Sequence, residues 1–390
     1  MSAAYVYDAV RTPFGKLGGG LAGIRPDDLG AHVIAALVER SGIDPATIDE
    51  VSFGDANQAG EDNRNVARMS GLLAGLPTSV PAVTVNRLCG SSVESVIQAS
   101  RAIETGDAGV VVAGGVESMS RAPWVVGKPS RPYPHGDQVM HSSTLGWRFV
   151  NPRMDARWTI PNGESAEILA DRFGISREEQ DAFAVRSHRN AAAAWDTGAY
   201  DAESVPVPGT ALERDEGIRP ASTLETLAPL KPAFRADGTV TAGNSSPLSD
   251  GASALLVGGE TLPGSAVEPL ARITGRGIAG NDPDVFGIAP VEAANRALAR
   301  AGRSWADVDL VELNEAFAAQ SLACLRLWPE LDPEKLNVHG GAIALGHPLG
   351  ASGGRIVGHL AHELARTGGR VGVAAICIGV GQGLAVVLER

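Results

Sequence analysis

Apolar and polar positions fall into the same order twice along the chain. PDDLGAHVIAALVER reads as an apolar helix and runs into SGIDPATIDEVSFGD (41–55), whose alternating end predicts a strand. PVEAANRALAR reads as a second helix and runs into AGRSWADVDLVELNE (301–315). The two stretches align at a constant offset without a gap: Gly42 with Gly302, Ile48 with Val308, Asp49 with Asp309, Val51 with Val311 and Phe53 with Leu313. Gly42 and Gly302 stand where helix C-caps are expected, because glycine takes the left-handed conformation without strain. Farther along, both halves carry a Gly/Ser-rich entry, a helix and an apolar strand, in CGSSVESVIQASRAIETGDAGVVVAGG and in GASGGRIVGHLAHELARTGGRVGVAAICIG. In the first, Val93, Val96 and Ile97 share one helix face. Helix–strand alternation at this spacing predicts an α/β protein with a largely parallel sheet. A repeat longer than roughly 100 residues marks a duplicated domain and not a solenoid.

Between the halves, over about 121–244, the pattern changes. Pro, Arg and Trp rise in RAPWVVGKPSRPYPHGDQ, and ISREEQDAFAVRSHRNAAAAWDTG predicts a helix with Ser176 and Glu179 as its capping box and Gly198 as its stop. This region reads as an inserted, loop-rich subdomain able to cover a ligand. The expected organisation is 1–120 with 245–268 as the first duplicated domain, 121–244 as the insert and 269–390 as the second.

Composition narrows the function classes. The chain has 390 residues, 44% of them hydrophobic and 20% charged, with a net charge of −12 that argues against a nucleic-acid partner. No run approaches the ~18 apolar residues of a membrane helix, and the start lacks a signal-peptide pattern. Cys89, Cys324 and Cys377 cannot all pair, no CxxC or metal-ligand spacing appears, and a reducing cytoplasm is the expected location. With a negative balance overall, a polyanionic ligand would require a local basic patch.

Candidate chemistry lies at the ends of apolar runs. AVTVNRLCGSSVESVIQAS places Cys89 between a strand and a helix, where the helix dipole would stabilise a thiolate and lower its pKa; a packed core cysteine is the plainer alternative. GGAIALGHPLGASGG sets His347 between Gly346 and Pro348 at a helix start, as a base or oxyanion donor, or as a simple capping histidine. In VELNEAFAAQ, Asn314 is either an N-cap or a donor to a substrate oxygen. AAICIGVGQG puts Cys377 where a strand enters a loop with little side-chain bulk, leaving backbone N–H groups free to approach a reacting sulfur. Cys324 reads as a core residue. Equivalent loops of a duplicated fold converge at one pseudo-twofold site. Two thiols, one imidazole and bare N–H groups there suit acyl transfer through a thioester.

VNRLCGSS, AGGVESMSRAP, SREEQDAFAVRSH, TVTAGNSSPLSDGASALL, ELNEAFAAQ, NVHGGAIALGHPLGASGGR and CIGVGQG resemble, in order, the signature segments of the thiolase family over nearly the whole chain. The resemblance implies a five-layered αβαβα fold of two duplicated α/β domains plus a loop domain that binds coenzyme A. It implies Cys89 as the acylated nucleophile, His347 as its activator and Cys377 as the acid/base at the α-carbon of acetyl-CoA. Asn314, through a water, and His347 would form one oxyanion hole, and the N–H groups of Cys89 and Gly379 the other, with Glu315 in support. Arg219 would lie near the CoA nucleotide and Ser245 beside its pantetheine arm, with Lys231 and Arg235 adding local positive charge. Coenzyme A and acetyl-CoA would be substrates, with no permanently bound cofactor and no metal, and the assembly a homodimer or homotetramer.

GDANQAGEDNRNVARMSGLLAGLP, STLGWRFVNPRM and CIGVGQG resemble thiolases acting on β-ketoadipyl-CoA, with His141, Arg148 or Arg153 as candidates for a distal carboxylate and surface positions as their plainer reading. IPNGESAE has Pro161 and Asn162 where acetoacetyl-CoA thiolases carry His-Met, and thiolases generally have Met at the Asn162 position. The alternatives are a biosynthetic acetoacetyl-CoA thiolase and a non-catalytic CoA- or lipid-binding relative. Decarboxylating condensing enzymes share the fold but lack a second catalytic cysteine.

Overall fold

The computed structural model describes residues 3–263 and 267–390. Its strands are β1 (Ala4–Arg11), β2 (Gly15–Lys16), β3 (Glu50–Gly54), β4 (Ala82–Val85), β5 (Val110–Ser118), β6 (Trp124–Val126), β7 (Met140–Ser142), β8 (Ser249–Gly258), β9 (Ala271–Gly280), β10 (Leu310–Leu313), β11 (Val371–Ile378) and β12 (Gln382–Glu389). Its α-helices are α1 (Pro26–Ser41), α2 (Val66–Leu73), α3 (Ser91–Thr105), α4 (Asn162–Phe173), α5 (Arg177–Asp196), α6 (Leu224–Leu227), α7 (Ala289–Ala301), α8 (Ala318–Leu327), α9 (Ala342–Leu345) and α10 (Leu349–Thr367).

Strand periodicity sorts the core into layers. Along β5, Val111 and Ala113 enter one core while Val110, Val112 and Val116 enter another. Along β11, Ala374 and Ile376 share that first core while Val371, Val373 and Ala375 face a third. The shared core is filled by Val93, Val96 and Ile97 of α3 and by Ile356, Val357, Leu360 and Leu364 of α10. Helices α1 and α2 cover the outer face of the first half-sheet, and α7 and α8 that of the second. The result is the five-layered αβαβα fold.

The duplication is exact enough to compare pair by pair. The order is β4-β3-β5-β8-β1 in one half and β10-β11-β12-β9 in the other, joined through antiparallel β1 and β9. Val51 pairs with Ala82 and Val112, and its repeat partner Val311 with Leu336 and Val373, so a single bridge at Leu336 stands where the first half has β4. Gly42 and Gly302 are both left-handed C-caps. Asp49 accepts the N–H groups of Gly109 and Val110, as Asp309 accepts those of Arg370 and Val371.

The sheet is mixed, against the expectation of a largely parallel one. Pairs reached through helical crossovers, β3 with β4 and β5 and β10 with β11, are parallel. The turn after Ile378 instead sends β12 straight back along β11, and β8 returns from the insert antiparallel to β5. A short connection permits only the antiparallel choice.

The expected insert, 121–244, falls between β5 and β8. Its helix α5 carries the Ser176–Glu179 capping box and stops at Asp196, just before left-handed Gly198. Ala170 and Leu169 of α4 pack with Ala319 and Ala323 of α8, and Ala191, Ala194 and Trp195 of α5 pack with Ala344 and Leu345 of α9. Buried Arg11 of β1 bonds Glu203 (2.6 Å) and, with both terminal nitrogens, Asp215 (2.7 and 3.0 Å), fixing the insert to the first half.

Candidate active site

Cys89 occupies a cross-tied elbow between β4 and α3. Ser91 Oγ donates to Leu88 O (2.6 Å) and accepts from Arg87 N–H (2.9 Å), while Asn86 Oδ1 accepts from Leu88 N–H (2.9 Å). Leu88 is held at φ 47°, a conformation that a branched side chain adopts only when its surroundings impose it. The thiol is 7% exposed. Burial pushes its pKa up to about 11, although the N–H groups of Gly379 and Cys89 itself aim at the sulfur and oppose the rise, and the Glu117 charge adds to it. The expected lowering by the α3 dipole is therefore overridden: desolvation outweighs it, and Cys89 rests as a thiol in need of a base.

His347 is placed by the glycine before it. Gly346 has φ 111°, and a Cβ there would stand 2.5 Å from Ser249 Oγ, the atom that accepts His347 N–H at 3.1 Å. The ring's hydrogen bonds fix its tautomer. Ser352 Oγ donates to Pro348 O (2.8 Å), so it accepts from His347 Nδ1–H at 2.6 Å. Nε2 is left with its lone pair, which faces the Asn314 amide at 3.4 Å. Burial, reinforced by the Arg355 guanidinium, pushes the ring down to about 3. At neutral pH the imidazole is uncharged and can accept a proton.

Asn314 follows β10 directly and is fully buried, with its Oδ1 unmatched by a protein donor. Glu315 beside it accepts from Ser187 Oγ (2.7 Å), Asn337 Nδ2 (2.8 Å) and Ile343 N–H (3.2 Å), tying α5 to α9, the turn that leads to His347. Burial raises its pKa against those three donors.

Cys377 closes β11, and its chain turns back in a hairpin where the other site residues stand at strand–helix junctions. Val380 at φ 64° and Gly381 at φ 76° make the turn. The Cys377 thiol is 1% exposed, and burial, then the neighbouring Cys89 and Cys324 thiols, push it well above its ordinary value. Trp147 and Asn162 flank the hairpin: a Cβ on Gly379 would lie 3.3 Å from the indole and 3.6 Å from Asn162 Oδ1. Arg87 reaches across to Gln382 Oε1 (2.8 Å) and holds the hairpin to the Cys89 elbow. Ser352, Ser249, Arg87 and Trp147 escaped the sequence reading, because each acts through a partner remote in sequence or through a turn geometry that composition does not reveal.

The remaining candidates have contacts of their own. Ser245 donates to Thr241 O (2.7 Å), and its neighbours bond Ala316 and Ala318 just beyond Asn314. Arg219 is exposed, and its N–H meets His188 Nδ1 (3.2 Å). Arg235 is not the free cation expected for an anionic ligand: Glu164 (2.7 Å) and Asp171 (2.6 Å) already neutralise it. Among the described residues, no group of three or more His, Cys, Asp or Glu is arranged to hold a metal ion.

Two thiols with raised pKa, an imidazole with a free lone pair and two N–H groups aimed at one sulfur form a setting for thioester exchange. Family profiles agree with that chemistry: the thiolase N-terminal domain matches residues 4–261 and the thiolase C-terminal domain residues 267–390. A β-ketoadipyl-CoA thiolase of Pseudomonas aeruginosa is 50% identical, with 99% of this chain and 98% of that one aligned. The 3-oxoadipyl-CoA/3-oxo-5,6-dehydrosuberyl-CoA thiolase of Escherichia coli is 48% identical over the whole of both. Human mitochondrial 3-ketoacyl-CoA thiolase, solved in complex with CoA, superposes with a TM-score of 0.93 at 43% identity, covering 100% of this chain and 98% of that one. The chain is an acyltransferase and belongs to the thiolase family.

Proposed function

We propose that this thiolase cleaves β-ketoadipyl-CoA with CoA, giving acetyl-CoA and a four-carbon dicarboxylic acyl-CoA. The observation that carries the site assignment is the His347 tautomer: Nδ1–H is committed to Ser352, so Nε2 is the atom able to take the Cys89 proton. In this reading the Cys89 sulfur then attacks the 3-oxo carbon. The C2–C3 bond breaks, and its electron pair passes to C2 of the leaving acetyl-CoA as an enolate, which Cys377 protonates. CoA enters, loses its thiol proton to Cys377 and attacks the acyl-Cys89 thioester, releasing the shortened acyl-CoA and the Cys89 thiolate, which takes back the proton held on His347.

The Cys89 and Gly379 N–H groups would hold the oxyanion at the acylated carbon, and their present aim at the sulfur supports that role. Once protonated, His347 would donate from Nε2 to the thioester oxygen beside Asn314, whose unmatched Oδ1 is suited to hold a water. The insert, 121–244, would bear the CoA contacts, with Arg219 and Ser245 among them, and no resident cofactor enters the cycle. Of the candidates for the distal carboxylate we favour Arg148, since Trp147 before it in the chain borders Gly379.

The identity to enzymes named for β-ketoadipyl-CoA and 3-oxoadipyl-CoA supports the substrate. Three free cysteines support a reducing cytoplasm. The exposed Trp124, Tyr133 and Val139 of the insert support a homodimer or homotetramer.

The test is CoA-dependent thiolysis of β-ketoadipyl-CoA, acetoacetyl-CoA and a medium-chain 3-oxoacyl-CoA side by side, with Cys89→Ala as blank. The highest kcat/KM is expected for β-ketoadipyl-CoA. Preference for another substrate sinks the substrate assignment alone, and turnover by the blank sinks the Cys89 mechanism.

A further inference from the structure

Behind the two thiols, three backbones meet on glycine. A Cβ on Gly115 of β5 would stand 2.1 Å from Gly350 O and 2.6 Å from Gly54 O; one on Gly350 would stand 2.3 Å from Val116 O. The end of β3, the end of β5 and the first turn of α10 therefore touch main chain to main chain, which no side chain permits. Glu117 closes this junction. It is 2% exposed. Its Oε2 accepts the N–H groups of Gly350 (2.8 Å) and Ala56 (3.0 Å), and its Oε1 that of Asn57 (3.1 Å). Gly350 is the second residue of α10 and lies three past His347, so its N–H is one of those a helix start leaves without an internal partner.

We propose that Glu117 is a positioning residue of the thiolase reaction: its carboxylate caps α10 from the opposite half and fixes the His347 turn against the domain that carries Cys89. The assignment rests on the roles given above to His347 and Cys89. A capping serine on the helix's own chain would satisfy the same donor but would leave the two halves untied. Glu117 bonds both at once, and its position between Ala56–Asn57 and Gly350 sets the spacing of the site.

The clamp is strongest with Glu117 ionised, when both oxygens accept. Burial pushes this carboxyl up to about 7, with the Asp62 charge adding to the rise and the Ala56, Gly350 and Asn57 N–H groups opposing it. The groups facing it are Asp55, raised by burial and by Glu117; Asp62, pushed up to about 6 by burial; and the Cys89 thiol. As pH falls through about 7, the clamp loses an acceptor and the His347 turn loosens. His347 itself, at about 3, does not titrate in that window.

Glu117→Gln and Glu117→Asp in the full chain test this, with kcat, and KM for CoA, followed between about pH 5.5 and 9 in thiolysis of whichever of the three 3-oxoacyl-CoA substrates above the parent turns over best. In Glu117→Gln one acceptor becomes an N–H donor facing N–H donors. The expected result is a fall in kcat of about 10- to 100-fold, with KM for CoA held within about twofold. The acid limb near pH 7, present in the parent, flattens. Glu117→Asp restores an acid limb and part of the rate. Parental kcat with the limb intact in Glu117→Gln overturns the proposal, as does a limb that runs the other way in the parent. So does a loss accounted for by the unfolded fraction in a thermal melt. If Glu117→Gln does not fold, Glu117→Asp decides: a displaced limb at unchanged KM supports the clamp, and a parental profile refutes it. An inactive parent would instead sink the thiolase site assignment on which the clamp depends.

Discussion

The two halves of this molecule share a scaffold and divide the chemistry unequally. Where the chain at the end of β10 carries Asn314 and Glu315, that at the end of β3 carries Gly54 and Asp55, and where β11 carries Cys377, β5 carries Val116. In the proposed mechanism the second half thus supplies the base, the amide and the second thiol. The first supplies the elbow with Cys89 and, in Glu117, the carboxylate that grips the second. Duplication fixed the strand order and the junctions, and the side chains at those junctions were then free to diverge. A site built between such halves depends on groups from both, and substitutions at paired positions should therefore have very different consequences.

The largest difference is expected at the thiols. Cys89→Ala should reduce thiolysis by at least about 10⁴-fold, since removal of a nucleophile leaves only binding and oxyanion stabilisation. Cys377→Ala should reduce it by about 10²- to 10⁴-fold, yet leave Cys89 able to take an acetyl group from acetyl-CoA, read as an intact-mass adduct. Val116→Ala, at the matching position of the first half, should retain turnover per folded site. Equal losses at Cys377 and Val116 would mean that the asymmetry lies in packing and not in chemistry.

His347 sharpens the comparison through pH. Its folded pKa is depressed to about 3, against an ordinary value near 6.5, so the unfolded chain binds the proton first. Stability contributed by the neutral ring is therefore present above about pH 6.5 and is lost progressively as pH falls towards 3. His347→Asn should lower thiolysis by about 10²- to 10⁴-fold and flatten this part of the acid-unfolding curve followed by circular dichroism. His188, pushed down to about 4 by burial and then by Arg219, and His339, lowered by burial, remain in both proteins and contribute to the residual slope. An unchanged slope in His347→Asn would show that the ring is not held neutral.

What could be read from sequence was what neighbours along the chain decide. The helix before Gly42 and its copy before Gly302, the capping box at Ser176 and the repeat of Asp49 in Asp309 all rest on contacts within a few residues or on alternation. The turns that carry Cys89, His347 and Cys377 were legible because glycine and proline mark them. Three features were not. The direction of β12 depends on the turn after Ile378, which reads as loop whether the chain returns or crosses over. The Cys89 pKa is set first by how deeply the folded chain buries it, which outweighs the local helix dipole. Glu117 is a single charged residue in an apolar strand, and its partners lie 60, 61 and 233 residues away. Arg235 reads as an available cation for the same reason: nothing local reveals Glu164 or Asp171.

The smallest effect tests the scaffold itself. Asp49 and Asp309 each accept two N–H groups at the start of the following strand, at 2.6 and 3.0 Å in the first half and 2.7 and 3.1 Å in the second. Neither touches the site, so substitution should alter stability and leave turnover per folded molecule unchanged. A charge-assisted bond at such a half-wet position contributes on the order of 1 kcal/mol. Asp309 is half-buried and Asp49 exposed. Although burial opposes it, the Arg370 and Val371 donors hold the Asp309 carboxyl below its usual range. Its contribution is therefore present above the ordinary aspartate pKa and is lost as pH falls through the lowered one. Urea unfolding at neutral pH should show Asp309→Ala as the costlier substitution by a few tenths of a kcal/mol. If Asp49→Ala instead costs several times more, the halves are not energetically equivalent frames, and the asymmetry of the molecule extends from its chemistry into its fold.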